Sequence, residues 1–203
     1  MKKLLFVFGL MLAFGATAQK VKVESGNYKF LKGESEINVE FDYSNLTLMK
    51  DNLTEEKYVE DRKNELNKKE AGKGDAWEKE WNAAKEDIWE PKFLELVNIV
   101  ISKKKKDLKF DKDLSSAKYT LIVEVKWIYP GWDVVVSKKP AELNTVLKFV
   151  ETENKDNVVL ELSSEKAPGA QYGSQFSNET RIGESFAKTG KTLGGLVFKK
   201  GLK

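Results

Sequence analysis

The chain has 203 residues, 35 basic and 32 acidic side chains, and neither cysteine nor histidine. Without these two residue types, disulfides, zinc sites of the usual kind and catalytic triads or dyads that use histidine or cysteine are excluded. The formal charge of +3 is small for this length and does not predict nucleic acid as a partner.

The first eighteen residues have the order of a secretory signal peptide. Two lysines precede an apolar run from Leu4 to Phe14, and Ala16 and Ala18 frame a cleavage site for signal peptidase. The run of about eleven residues is too short to span a bilayer, which takes roughly twenty. We therefore predict cleavage near Ala18, a single α+β domain over residues 19–203, and a periplasmic or secreted protein. Since no cysteine is available for a lipid, we predict no stable membrane anchor.

The first half of the mature chain is predicted to contain one strand followed by helices. Apolar and polar side chains alternate from Glu36 to Tyr43, which is typical of a half-buried strand. A helix follows that is capped by Asn52 or Thr54 and ends near Glu70. The residues before the strand, Val21 to Gly33, are predicted to be a polar lead-in.

Two further helical segments are predicted before residue 107. Asp75 is expected to cap the first, with Trp77, Trp81, Ala84 and Ile88 on one face. Pro91 is expected to break or kink this pattern and to begin the second segment. Lysines 103–106 end it, where cations favour the helix dipole. This run is typical of a solvated helix end, and phosphate or anionic lipid is the alternative ligand that it leaves open.

Strands dominate the next part of the chain. Leu108 to Phe110 is predicted to be a short edge strand, and Tyr119 to Tyr129 a long strand whose odd-numbered residues share one face. Pro130 and Gly131 form the turn that follows. Glu142 to Glu151 and Val158 to Ser163 are predicted to pair as an antiparallel hairpin.

A final helix is predicted from Asn178 or Thr180, after a loop over residues 167–177. Small residues recur along one stripe of it at spacings of four, three and four: Gly183, Ala187, Gly190 and Gly194. Since glycine weakens a helix interior, we expect the stripe to let this helix lie close against the sheet. The elements together predict an α+β fold, with a mixed, mostly antiparallel sheet of three to five strands covered by helices on one face.

Six stretches of the chain resemble an uncharacterised family of exported proteins from Bacteroides-type bacteria. They are LKGESEINVEFDYSN (31–45), GKGDAWEKEWN (72–82), EPKF (90–93), AKYTLIVEVKWIYPGW (117–132), KKPAELNTVLKFVET (138–152) and RIGESFAKTGKTLG (181–194). The resemblance covers most of the mature chain and brings no known activity.

More distantly, the strand that begins at residue 117, the later hairpin and the glycine-spaced last helix resemble a group of small envelope modules. These are the curli-secretion lipoproteins, the activators of penicillin-binding proteins and the amino-terminal domain of TolB. This resemblance implies a helix-covered mixed sheet that binds envelope partners and does not catalyse. The chain departs from the lipoproteins because it lacks their anchoring cysteine.

Two motifs with known chemistry are present only in part. Gly190, Lys191 and Thr192 match the end of a phosphate-binding loop, but the glycine required five positions earlier is Ser185. Residues 111–115 begin like a calcium loop, but the required glycine is Ser116 and the bidentate glutamate is Ile122. We therefore predict no cofactor, no metal and no catalytic residue.

Three aromatic residues near a turn are the predicted ligand-binding site: Trp127, Tyr129 and Trp132. Such side chains offer large flat surfaces with a polar edge, suited to sugars or to a protein partner. Strand alternation by itself also explains Trp127 and Tyr129 as core residues. Trp132 is the member that alternation does not explain.

Three functions are consistent with these features. The leading hypothesis is a non-catalytic exported module that binds another component of the cell envelope, either protein or glycan. A second is carbohydrate or peptidoglycan binding through the aromatic loop at Trp132. A third is a carboxylate-dependent hydrolase, which requires two acidic groups with perturbed pKa values in one pocket. The sequence predicts no oligomeric state.

Overall fold

A central sheet of eight strands organises the part of the chain that the computed structural model describes, residues 19–104, 106–134, 137–169 and 177–203. The predicted signal peptide lies outside these ranges, and so does most of the predicted loop over residues 167–177. The strands of the central sheet are β1 (Lys20–Gly26), β2 (Glu36–Asp42), β3 (Thr47–Leu48), β4 (Leu53–Thr54), β5 (Lys109–Asp111), β6 (Tyr119–Tyr129), β9 (Ala141–Glu151) and β10 (Asn154–Gly169). A separate hairpin contains β7 (Trp132–Val134) and β8 (Ser137–Lys139).

The helices are α1 (Glu55–Lys69), α2 (Lys73–Ala84), α3 (Glu90–Lys103) and α4 (Asn178–Gly201). A π-helical turn (Lys85–Trp89) joins α2 to α3, and a short 3-10 helix (Tyr28–Leu31) follows β1. Of the two predicted caps of α1, Thr54 is the one observed. Its side chain accepts a hydrogen bond from the Lys57 amide. The cap of α4 is Ser177, one residue before the predicted start.

The sheet is mixed, with an antiparallel majority. Its strand order is β1-β10-β9-β6-β2-β5, with β3 added beside β6 and β4 beside β3. The four strands β1, β10, β9 and β6 are antiparallel, whereas β2 is parallel to both β6 and β5. The predicted α+β class is confirmed.

The predicted number of three to five strands is wrong. The polar lead-in is in fact the edge strand β1, whose side chains are almost all exposed, so that no buried face marks it in the sequence. β3 and β4 have two residues each, which is too short for an alternating pattern, and they are strands because they pair with each other and β3 pairs with β6. β5 lies within one residue of its predicted position.

One face of the sheet packs under the helices, and the other face carries mostly polar side chains. Helix α4 lies over β9 and β10, and α3 contacts β5. Fully buried side chains of the core face include Leu121, Val123, Phe149, Leu160 and Leu162, which meet Trp89, Phe93, Phe186 and Val197 of the helices. The opposite face carries ion pairs, such as that of Lys148 with Glu124, instead of a second apolar layer.

Helix α2 continues into α3 without a break. Its amino-terminal cap is Gly72 and not Asp75, which lies in the first turn. At the π-helical turn the Glu90 amide donates to the Lys85 carbonyl, five residues back, so the wider turn precedes Pro91. Proline has no N–H to donate, and its ring crowds the preceding turn. The wider π-helical turn accommodates this, so the helix continues through Pro91 and does not end there.

The small-residue stripe of α4 packs on α3, and the expectation that it packs on the sheet is wrong. A Cβ atom at Gly190 would collide with the Phe93 carbonyl oxygen, and one at Gly194 would lie 2.9 Å from the Val97 carbonyl oxygen. These contacts advance in the same direction along both helices, so α3 and α4 run parallel. The sheet is covered by the neighbouring apolar stripe of α4, which includes Ile182, Phe186 and Leu193.

Candidate functional site

A β-bulge divides the three aromatic residues of the predicted site. On β6, Val125 pairs with Thr145 but Trp127 pairs with Asn144, so Lys126 is one extra residue. A bulge of this kind reverses the alternation of side chains beyond it. Ile128 therefore takes the core position and is fully buried. The interpretation of Trp127 and Tyr129 as a continuation of the core face of β6 is wrong, because both lie on the opposite face.

Trp127 and Tyr129 are already engaged within the protein. Their rings stack with centroids 6.2 Å apart, and the Trp127 Nε1–H donates to the Met49 carbonyl at 2.7 Å. The Lys139 ammonium lies 4.4 Å from the centroid of the Tyr129 ring. These contacts occupy ring surface that a ligand would need.

Trp132 has a different environment, because it lines a cleft of about 450 Å³. Its side chain is 39 % exposed, one of the few large apolar side chains that the structure leaves open. The remaining lining combines non-polar residues with an aromatic ring and with charged and amide groups: Met49, Pro130, Gly131, Tyr58, Arg62, Glu65, Asp133, Asn178 and Arg181. We call this hollow the Trp132 cleft.

Three elements build the Trp132 cleft. Gly131 has φ of 70°, and a Cβ there would lie 2.6 Å from the Pro140 carbonyl carbon, so the turn that presents Trp132 requires glycine. Helix α1 supplies Tyr58, Arg62 and Glu65, which follow each other at spacings of four and three on one side of the helix. The first turn of α4 supplies Asn178 and Arg181.

Arg181 is the most deeply placed charged group of the cleft, with 7 % of its surface exposed. Its Nε donates to the Pro130 carbonyl at 3.3 Å, and Nη2 donates to the Asn178 side-chain oxygen. Burial lowers the pKa of this guanidinium, while Asp133 and Glu179 favour its charged form. The side chain therefore bridges the turn before Trp132 and the first turn of α4.

Arg62 faces the same cleft from α1. Its Nη1 donates to Glu65 at 2.7 Å, whereas its buried Nε has no hydrogen-bond partner among the described residues. Hydrogen bonds from Lys69 and Arg62 hold the pKa of the Glu65 carboxyl below its usual range. The cleft thus offers planar polar groups of both charges around one exposed indole.

A buried polar network anchors the wall behind the cleft. The Glu179 carboxylate is 4 % exposed and accepts a hydrogen bond of 2.9 Å from Trp77 Nε1. The Glu179 carbonyl accepts another of 2.9 Å from Trp89 Nε1. Tyr58 packs edge-on against Trp77, and its burial raises its pKa to about 12. These contacts fix the start of α4 against α2, so the cleft has rigid sides.

In two of the hollows, the carboxylates are held by ion pairs with basic side chains. A general acid needs a raised pKa, but the Glu65 carboxyl in the Trp132 cleft has a lowered one. A second hollow of about 570 Å³ contains Glu55 and Glu78, and each accepts a lysine ammonium at 2.8 Å. Among residues that the structure describes, no three acidic side chains are grouped so that they could hold a metal ion.

Among the described residues, neither the partial phosphate-binding loop nor the partial calcium loop forms a binding site of its type. Lys191 and Thr192 lie inside α4 and not at a helix start, which is where a phosphate-binding loop places them. The Asp111 carboxylate, at the start of the partial calcium loop, forms an ion pair with Lys109 at 2.6 Å.

Comparison with known proteins identifies no family. No family model matches the chain, and no curated protein matches it. Among solved structures, the PelC dodecamer from Paraburkholderia phytofirmans matches with 10 % identity, covering 87 % of this chain and 97 % of that chain at a TM-score of 0.39. A single-residue variant of that dodecamer matches with 11 % identity, covering 87 % and 98 %, at a TM-score of 0.38. Among the described helices, none has the length and hydrophobicity to cross a membrane.

Proposed function

We propose that the protein is a non-catalytic binding module of the cell envelope and that its Trp132 cleft binds a glycan. The observation that carries the proposal is an exposed tryptophan in a cleft whose other lining residues include two arginines, an asparagine and two acidic side chains. An indole presents a flat apolar surface on which the C–H face of a sugar ring can stack. The surrounding arginine, amide and carboxylate groups can donate and accept hydrogen bonds with hydroxyl groups.

Rigidity supports binding at this place. Arg181 is held by the Pro130 carbonyl and by Asn178, and Gly131 fixes the turn before Trp132. A ligand that enters a preorganised cleft orders few side chains, so that less of the binding energy is lost as entropy. The predicted export of the chain makes a glycan of the envelope, such as peptidoglycan, the natural ligand class.

The charge state of the cleft supports binding over hydrolysis. Because Glu65 has a lowered pKa, it stays ionised at neutral pH and has no proton to donate to a glycosidic oxygen. Its carboxylate instead orients the Arg62 guanidinium. A glycosidase would need a second, protonated carboxyl group beside it as the general acid.

The test is retention of the exported protein on insoluble peptidoglycan and on other insoluble glycans. Trp132→Ala is expected to weaken retention by about tenfold or more, because it removes the stacking surface of the cleft. The matched control is Val134→Ala, which shortens another exposed apolar side chain of β7, 53 % exposed. The control is expected to bind like the wild type, and both variants are expected to unfold at the wild-type urea midpoint.

Other results would contradict the proposal in specific ways. Equal retention of both variants would remove the Trp132 cleft as the binding site. Crosslinking in the native cell that captures a protein, and loses it in Trp132→Ala, would make the ligand a protein instead of a glycan. Glycan turnover that disappears in Glu65→Gln would replace binding with catalysis.

A further inference from the structure

We infer that the protein docks on an anionic membrane surface through a cluster of lysines at the carboxyl ends of α3 and α4. The cluster, which we call the lysine end, contains Lys32, Lys103, Lys104, Lys106, Lys199, Lys200 and Lys203, and all seven side chains are exposed. Lys105 lies outside the described residues. This proposal concerns a surface distant from the Trp132 cleft and does not depend on glycan binding.

The glycine contacts between α3 and α4 create this cluster. Because the two helices run parallel, their carboxyl ends come to the same side of the protein. The Lys104 ammonium lies 5.3 Å from the Phe198 ring centroid, so the end of α3 contacts the end of α4. Lys200 lies 5.5 Å from the Tyr28 ring centroid, which brings the neighbouring 3-10 helix to the same place.

A shallow hollow between these elements contains three of the seven lysines. It measures about 340 Å³, and Lys32, Lys106 and Lys203 line it together with two acidic residues, Glu34 and Asp107. The acidic residues are too few to neutralise the lysines. Each helix carboxyl end adds only about half a negative charge, so the lysine end keeps a large excess of positive charge.

The lysine end differs from the rest of the surface in its ion pairing. Among the described residues, sixteen ion-pair contacts join basic and acidic side chains, and none involves a lysine of this cluster. Elsewhere the chain places a carboxylate beside most of its clustered lysines, as with Lys63 and Glu78. Unpaired charge of one sign attracts a partner of the opposite sign.

The lysine end contains lysines and no arginine, and this composition favours a membrane over other anionic partners. All seven are lysines, whereas the arginines, whose planar fork recognises single phosphate or carboxylate groups, lie in the Trp132 cleft. The rings nearby, Tyr28 and Phe198, lie beneath lysines and are not open to stack with nucleic acid bases. Clusters of four to eight basic residues attract anionic lipid surfaces through their summed charge.

The position of the lysine end gives the docked protein an orientation. Arg181 in the Trp132 cleft and Lys200 at the lysine end lie in the first and last turns of α4, about 30 Å apart at the rise of an α-helix. Docking through the lysine end would therefore direct the Trp132 cleft away from the lipid.

The test is co-sedimentation of the exported protein with vesicles of phosphatidylcholine that contain about one third phosphatidylglycerol, at low and at high salt. We expect binding at low salt that falls by about tenfold or more at high salt, since screening weakens the attraction. Vesicles of phosphatidylcholine alone are expected to bind little. The quadruple variant Lys103→Gln, Lys104→Gln, Lys199→Gln, Lys200→Gln is expected to lose at least about tenfold in binding.

A matched variant separates the lysine end from charge in general. Lys50→Gln, Lys68→Gln, Lys79→Gln, Lys188→Gln removes the same charge from exposed lysines without ion pairs elsewhere, and it should keep near wild-type binding. Circular dichroism checks that both variants fold. Equal loss in the two variants, binding that ignores lipid charge, or binding to soluble heparin without binding to vesicles would each overturn the inference. Trp132→Ala should bind vesicles normally, so that failure of the glycan proposal leaves this result unaffected.

Discussion

Helix α4 contacts the rest of the protein in two different ways. In its middle, Gly190 brings the helix backbone against the backbone of α3, and Gly194 packs against the Val97 carbonyl and the Val100 side chain. In its first turn, charged side chains are buried, and Glu179 and Arg181 are held by hydrogen bonds beside the open Trp132 cleft. The glycine contact has no room even for an added methyl group. The first turn, in contrast, holds charged side chains beside the open cleft.

This difference separates a structural contact from a candidate site within a single helix. Close packing leaves no room for a ligand, so the glycine contact can act on function only through the position of the helix. A buried charged group is costly unless it has a partner. Because Glu179 and Arg181 are buried and have partners, they form a defined polar wall beside the cleft. Substitutions at Gly190 and at Glu179 test the two regions separately.

The largest effect is expected in the glycine contact. Gly190→Ala should lower the free energy of unfolding by about 3 kcal/mol, because the new Cβ collides with a backbone carbonyl that cannot move alone. The matched control is Gly195→Ala, where a Cβ would meet no atom within 4 Å and which should gain up to about 1 kcal/mol from helix propensity. Urea unfolding measures both. Similar stability of the two variants would mean that the helices are not in close contact.

A smaller loss is expected at the buried charge of the first turn. Glu179→Ala should cost about 2 kcal/mol, since Trp77 Nε1 loses its acceptor and Arg181 loses a neighbouring negative charge. Glu184→Ala, on the same helix, removes a more exposed carboxylate 2.6 Å from Lys92 and should cost well under 1 kcal/mol. Glu179→Ala should also weaken glycan retention. Retained binding despite lost stability would show that the wall need not be rigid.

The smallest effect is expected from the pH dependence of Glu65 in the cleft. Its pKa is lowered from 4.5 in the folded protein, so its ion pairs stabilise the fold above that value. This stabilisation is lost as the pH falls through the lowered folded-state pKa. Because the side chain is half exposed, Glu65→Gln should cost only a few tenths of a kcal/mol at pH 7, and this difference should disappear in strong acid. A difference that persists in acid would assign it to packing instead.

Local patterns in the sequence determined most of the regular elements. Alternation marks β2 and β6 to within one residue, and the caps and dipole charges mark α1, because these signals depend only on neighbours along the chain. The mixed α+β class follows from their order. The exposure of Trp132 also has a local origin, since the tryptophan follows a glycine turn at the end of a strand.

Only the tertiary structure decided how these elements meet. The extra residue at Lys126 moves Trp127 and Tyr129 off the core face. The alternating sequence of β6 does not predict this bulge. The partner of the glycine stripe, the edge strand β1 and the joining of α1 to α4 around the Trp132 cleft all involve residues far apart in the chain. A repeat in the sequence specifies which side chains share a face, but the surface that covers that face is chosen by packing of the whole chain.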